Sequence, residues 1–189
     1  MSTYFTPVLT TERLVLRPLK TEDAAGLFAI FSDPAVVRFW STEAWTDISF
    51  AETAIARALE GYRDETDIRF AVELVRGGQL IGTVNLHHFF NQNHRCELGY
   101  AVASAHWGQG YASEAIEAAL DHGFREVGLN RVEADIDPRN EASGRVLEKL
   151  GFRKEGYMPQ RWLVHGQYAD TVNYGLLRSY WDERKAVRG

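Results

Sequence analysis

A single cysteine, Cys96, stands among 189 residues. No intrachain disulfide can form, and no cysteine-based zinc site either. Such sparing use of thiols favours a reducing compartment, so a cytoplasmic setting is expected. No apolar run approaches the roughly 20 residues that a bilayer span requires. Met1 to Thr11 holds no basic segment followed by an apolar one, so neither a membrane partner nor a signal peptide is expected. Basic runs are missing too: 21 Lys and Arg against 26 Asp and Glu leave a net charge of −5. Nucleic acid, which is usually met by a basic patch or stripe, is therefore not an expected partner. The six histidines fall in no ligand spacing such as His-Glu-x-x-His, and no metal is expected. No repeat, low-complexity tract or Pro/Gly/Ser linker interrupts the chain, which reads as one domain over residues 1–189 with a substantial core.

What is present is strongly patterned. Arg13 to Leu19 alternates as a strand, and Thr21 can N-cap a helix carrying Ala24, Leu27, Phe28 and Phe31 on one side. Ser32-Asp33-Pro34 ends it, and a loop from Ala35 to Thr46 follows, heavy with Phe39, Trp40 and Trp45. A second helix is predicted from Ser49 to Tyr62. Phe70–Leu74 and Leu80–Leu86 form a hairpin turning at Gly77-Gly78. Cys96 to Val102 is a further strand. From Ala112 to Val127 the stripe Ala112, Ala115, Ile116, Ala119, Leu120, Phe124, Val127 predicts a helix stopped by Gly128. Arg131–Ile136 is a strand, Asn140 caps a short helix ending at Leu150-Gly151, and Phe152–Tyr157 and Ala169–Leu177 supply the last strands. The order β-α-α-β-β-β-α-β-α-β-β describes an α/β chain with a mixed sheet, not a βαβ repeat.

The most informative stretch runs from Glu97 to Glu114, where a strand enters a loop with Gly108 and Gly110 and then the strongest helix. A helix start offers unpaired N–H groups and the positive end of the dipole, and glycines let the backbone close on an anion. Together these suit a pyrophosphate. A plain glycine turn would read the same way. The third glycine of a dinucleotide fingerprint is replaced by Ser113, and the Gly-Lys-Ser/Thr of a P-loop is missing.

A second segment, Asp137 to Phe152, decides between these. Trp107-Gly108-Gln109-Gly110-Tyr111-Ala112 resembles the acetyl-CoA loop of the GNAT superfamily of N-acetyltransferases, in the form used by its RimJ/RimL-like branch. Trp107 stands where most members carry Gln or Arg. Asn140, Ser143, Leu147, Gly151 and Phe152 match the branch's Asn-x-x-Ser-x-x-x-Leu-x-x-x-Gly-Phe pattern. Thr11 to Leu19 and the run Gly166-Gln-Tyr168-Ala-Asp170 with Tyr174 and Leu176 are similar to it as well, so the likeness covers nearly the whole chain in order.

The resemblance implies a GNAT-type acyl-CoA N-acyltransferase fold, a central mixed sheet flanked by helices and splayed between its fourth and fifth strands. It implies acetyl-CoA as donor, an amine acceptor, direct attack in a ternary complex, and often a homodimer. Backbone from Gln109 to Ser113, with Trp107 and Gly108, would grip the pyrophosphate. Tyr100, Ala101 and Val102 would pair with the pantetheine arm, and a backbone N–H near Tyr100 would meet the oxygen on which charge develops. Gly99 is compatible with a bulge in that strand. Asn140 is a helix cap, and by resemblance also reaches the pantetheine. Ser143 is either a capping or surface serine or the proton donor to the departing thiolate. Glu97 is either an ion-paired side chain or the base that takes the amine's proton. Asp170 and Arg161 shape the acceptor pocket or hold its walls together. The loops Ala35–Thr46 and Met158–Gln167 would choose the acceptor: a protein N-terminus, a small metabolite, or a polyamine or antibiotic. Two other readings are a non-catalytic acyl-CoA sensor, against which Glu97, Asn140 and Ser143 together argue, and a nucleotide-binding module, against which the strand order argues.

Overall fold

The computed structural model describes residues 5–188. Met1 to Tyr4, part of the stretch read for a signal segment, lie outside them. Eight strands form one mixed sheet: β1 (Leu9–Thr10), β2 (Leu14–Pro18), β3 (Ile68–Leu74), β4 (Leu80–Phe90), β5 (Arg95–Val102), β6 (Arg131–Ile136), β7 (Arg153–Val164) and β8 (Gln167–Leu177). Their order in space is β1-β2-β3-β4-β5-β6-β8-β7. The helices are α1 (Ala24–Phe31), α2 (Ser49–Asp64), α3 (Tyr111–Arg125), α4 (Glu141–Lys149) and α5 (Arg178–Arg188).

Alternation along the strands splits the core in two. Phe70, Val72, Cys96 and Leu98 enter one buried cluster with Ala115, Ile116, Ala119 and Phe124 of α3 and Leu147 of α4. Ala71 and Ala101, pointing the other way, join Leu27 and Ile30 of α1 and Ile55 of α2. The expected stripe of α3 is the one that packs. His122 on the same helix is buried, 6.3 Å from the ring of Phe70. Within the described residues, no helix is long and apolar enough to cross a membrane.

The feature that positions the site is a divergence. β5 pairs with β6 in parallel only at Arg95↔Arg131, Cys96↔Val132 and Glu97↔Glu133. Beyond Glu97 the strands part: β5 continues to Val102 on its β4 side, and β6 continues to Ile136 on β8. This is the expected splay. The strands are fifth and sixth only because the two-residue β1 precedes them.

Several local expectations change. Thr21 does not cap α1; it opens a 3-10 turn, Thr21–Asp23, and Asp23 precedes the first helical residue, Ala24. The β4–β5 ladder is regular at Gly99↔Asn85, so Gly99 makes no bulge; the register shift lies in β4 between His87 and Phe90, where His88 takes φ 49°. β4 therefore extends to Phe90, not Leu86. Met158–Gln167 is not a loop, because β7 runs on to Val164 and meets β8 through His165-Gly166. Both turn residues have positive φ, 49° and 75°, as a tight two-residue hairpin requires. Last, α5 was not foreseen. Its Trp181 is wholly buried against the first cluster, and its indole N–H donates to Asp121 Oδ1 at 2.9 Å.

Candidate active site

The start of α3 is built as anticipated. Gly108 and Gly110 take φ 73° and 83°, a region that side chains with a Cβ rarely enter. The helical ladder begins with Glu114 N–H donating to Gly110 O at 3.1 Å, so the amides of Tyr111, Ala112 and Ser113 are the donors a helix start leaves over. Trp107 closes the loop, its indole N–H donating to Val102 O at 2.6 Å. Gln109 Nε2 donates to Ala105 O at 3.3 Å.

One residue here had no reading as part of the site. Arg13, at the start of β2, donates through Nη1 to Gln109 O at 2.9 Å and through Nε to Glu114 Oε2 at 2.6 Å, with its guanidinium 4.5 Å over the Tyr111 ring. Thr11 Oγ1 donates to Glu114 Oε1 at 2.6 Å. Burial raises the Glu114 carboxyl, but these bonds outweigh it and hold it below the ordinary value. The loop is thus fastened from the far end of the chain. Valine at 110 has room, since a Cβ would lie 3.5 Å from Arg13 Nη2, but it must adopt a left-handed backbone. That strain costs about 1–2 kcal/mol. If the loop holds the phosphates of acetyl-CoA, as the resemblance implies, Gly110→Val is expected to weaken that binding about tenfold by calorimetry; unchanged affinity would place the phosphates elsewhere.

Across the splay, Tyr100 on β5 reaches α4. Its hydroxyl lies 2.6 Å from Ser143 Oγ and donates to Ser143 O at 3.3 Å. Burial pushes Tyr100 up to about 12, with the Ser143 bond opposing, so the phenol keeps its proton. Asn140 Oδ1 accepts from Ser143 N at 3.2 Å, confirming the cap. The sequence pointed to Tyr100 only through its backbone. Its position beside Leu98 in the alternation was the available signal for the hydroxyl.

Glu97 lies on the opposite face, at the last paired position before the strands part. His88 Nδ1 is 3.1 Å from Glu97 Oε2. Burial, with His88 adding to it, pushes the His87 imidazole down to about 4. A cleft of about 460 Å³ opens here, lined by Glu97, Glu133, Asp135, Met158, Arg161 and Tyr174, among others. Glu133 is bound by Arg95 at 2.6 Å and by Arg131 at 2.7 Å, and Arg131 also pairs with Glu155. Asp135 is held instead by neutral donors, Trp162 Nε1 at 2.7 Å and Thr171 Oγ1 at 3.2 Å.

Of the aromatic loop, Trp40 and Trp45 pack on Phe31 at 5.4 and 4.7 Å and belong to the second core. Phe39 lies outside it, with the guanidiniums of Arg38 and Arg139 at 5.2 and 6.0 Å from its ring. Asp170 is structural, accepting from Tyr157 Oη and from Gln160 N at 2.8 Å. His165 Nδ1 meets Glu43 Oε1 at 2.8 Å, tying the β7–β8 turn to the loop.

Comparison with known proteins agrees with this geometry. Residues 13–153 match the family model described as an acetyltransferase (GNAT) domain. The chain is 36% identical over 172 residues to the uncharacterized N-acetyltransferase YoaA of Bacillus subtilis (strain 168), covering 91% of this chain and 97% of that one. It is 28% identical over 171 residues to the spermidine N(1)-acetyltransferase of Escherichia coli (strain K12), covering 90% and 89%. Among solved structures, Mycobacterium smegmatis RimJ in complex with CoA-disulfide superposes with a TM-score of 0.80 at 25% identity, over 92% of this chain and 88% of that one. With a glycine-led helix start beside a splayed pair of strands and a match over most of its length, the chain belongs to the GNAT family and is an N-acetyltransferase.

Proposed function

We propose that the chain transfers the acetyl group of acetyl-CoA to a primary amine, the α-amino group of a protein N-terminus or of a small metabolite. The observation that carries this reading is the place of Glu97, a carboxylate at the apex of the splay and open to the cleft. Bound acetyl-CoA would supply the activated acetyl group. The amides of Tyr111, Ala112 and Ser113, with Gly108, Gln109 and Gly110, would hold its phosphates. Beyond Glu97 no strand pairs with the β6-facing side of Tyr100, Ala101 and Val102, and apart from Val102 O, which accepts from Trp107 Nε1, its backbone groups fit the amide groups of a pantetheine arm. Glu97 takes a proton from the incoming ammonium, since only the neutral amine is nucleophilic. The Tyr100 hydroxyl, kept protonated, and Ser143 Oγ form a donor pair for the departing sulfur. Serine alone is a poor acid near neutrality; Tyr100 gives it a partner. Asn140 orients Ser143 through the cap. The single eight-stranded sheet, to which strands from both ends of the chain contribute, supports reading the chain as one catalytic domain.

An α-amine, with a pKa near 7.7–8.0 against about 10.4 for lysine, is more often neutral at pH 7 and asks less of Glu97. A second reading, a polyamine acceptor, is favoured by Glu97 and Asp135, neither of which pairs with an arginine or lysine among the described residues, and by the spermidine enzyme among the relatives. The test measures turnover with acetyl-CoA on a free-N-terminus peptide, its N-terminally blocked lysine-containing twin, and a diamine. Preference for the first supports the α-amine, preference for the diamine supports the polyamine, and preference for the blocked peptide overturns both. In parallel, acetyl-CoA at one hundred times its Kd is expected to stabilise the fold by about 2.7 kcal/mol. A thermal-shift titration without response would remove the donor assignment.

A further inference from the structure

The bulge in β4 brings together three side chains that a regular ladder would keep apart. Consecutive strand residues point to opposite faces. The left-handed backbone of His88, φ 49°, breaks that rule and sets its ring 4.6 Å from the ring of His87. His87 is also the cross-strand partner of Glu97, whose Oε2 lies 3.1 Å from His88 Nδ1. One ligand atom from each of His87, His88 and Glu97 falls within 4.8 Å of the others. Ligands of a tetrahedral metal, each at about 2.0–2.2 Å from it, stand about 3.3 Å apart, so the group needs small side-chain movements only.

The surroundings suit such a site. Gly99 lies beneath it, where a Cβ would come 3.4 Å from His87 Nε2 and 4.0 Å from Asn85 Nδ2. Glycine leaves that space clear. Asn85 Oδ1, two residues before His87 on the same strand face, is buried with no partner among the described residues. An acceptor so placed matches the outer-shell groups that orient metal-bound imidazoles. Entry is open, because the His88 side chain is 67% exposed and borders a basin of about 580 Å³ shared with His87 and Asn85. Two imidazoles and one carboxylate are borderline donors that suit zinc, with a fourth position left to water.

We propose that His87, His88 and Glu97 form a Zn²⁺-binding site on the acceptor side of the sheet. Spacing in the sequence could not show it, because the group is made by the β4–β5 register and one left-handed residue. A consequence, which rests on Glu97 being the base, is that bound zinc withdraws that carboxylate and stops turnover.

The test titrates the whole metal-free chain with Zn²⁺ by calorimetry. His88→Asn is the key variant, since asparagine tolerates the left-handed backbone while removing the imidazole. Loss of outer-shell partners alone costs about 10–100-fold, so His88→Asn and Glu97→Gln are each expected to weaken binding by more than about 100-fold. His94→Asn, an exposed histidine in the β4–β5 turn, is expected to leave it unchanged. Failure of the wild type to bind one Zn²⁺ per chain, or full binding by His88→Asn, overturns the site. Turnover separates the two claims: inhibition reversed by a chelator supports both, whereas binding without inhibition supports the site and removes Glu97 as base.

Discussion

Glu97→Gln is expected to lower kcat/KM by about 10²–10⁴ while the chain stays folded. The substitution keeps the side chain's shape and its ability to meet His88, and Glu97 is only half-buried at the edge of the cleft. What it removes is the capacity to accept a proton from an ammonium. The limb of the pH–rate profile that reports the base should flatten, and activity should recover in part as rising pH deprotonates the amine without help. Glu133→Gln, the same change one strand away, is the comparison. That carboxylate is already committed to Arg95 and Arg131, so the pH limb should survive. A Glu97→Gln enzyme with an unaltered pH–rate curve would return Glu97 to a pairing role beside His88.

Trp181→Ala is expected to destabilise the chain by about 3–5 kcal/mol, the range for truncating a large buried aromatic. For a protein of this size that lowers Tm by on the order of 10 °C. Trp181 is 0% exposed, packs its ring 6.1 Å from that of Phe124 on α3, and donates to Asp121. It is the anchor by which α5 closes over α3. Lys185 adds bonds of 2.8 Å each to Glu117 and Asp121, so Asp121 keeps a partner in the variant and the loss is mostly packing. Urea denaturation followed by circular dichroism measures it. A midpoint within error of the wild type would mean that α5 covers nothing the fold needs.

The elements carrying many apolar residues at a clean period were legible: α3 with its seven-residue stripe, the Gly77-Gly78 hairpin, the Asn140 cap. α5 was not, because Arg178–Arg188 is mostly charged and its burial hangs on Trp181. Two or three contacts make no period. The second half of β7 was hidden for a related reason. Nearly every residue from Arg153 to Leu163 is exposed on both faces, and Pro159 sits among them, so no alternation marks a strand. At the site, the glycine-led start of α3 could be read because its free amides are set by glycine positions in one short segment. The Arg13 latch, the Tyr100–Ser143 pair and the His87–His88–Glu97 group could not. Each joins residues through strand register, which local sequence does not encode.

The place of β7 at the rim of the sheet has a consequence for how copies of the chain can meet. An uncovered rim strand invites another strand to dock along it and so to seed aggregation. Here the β7–β8 ladder slips between Met158 and Trp162, Pro159 lacks an N–H, and Gln160 is left-handed at φ 51°. The rim is thereby broken into two short lengths that cannot present a continuous row of hydrogen-bonding groups. Tyr157, Met158, Trp162 and Leu163 can stay exposed on this strand without templating a cross-β stack. The kink that interrupts the strand thus acts as a guard on solubility, letting the chain keep bulky side chains beside the cleft at Glu97.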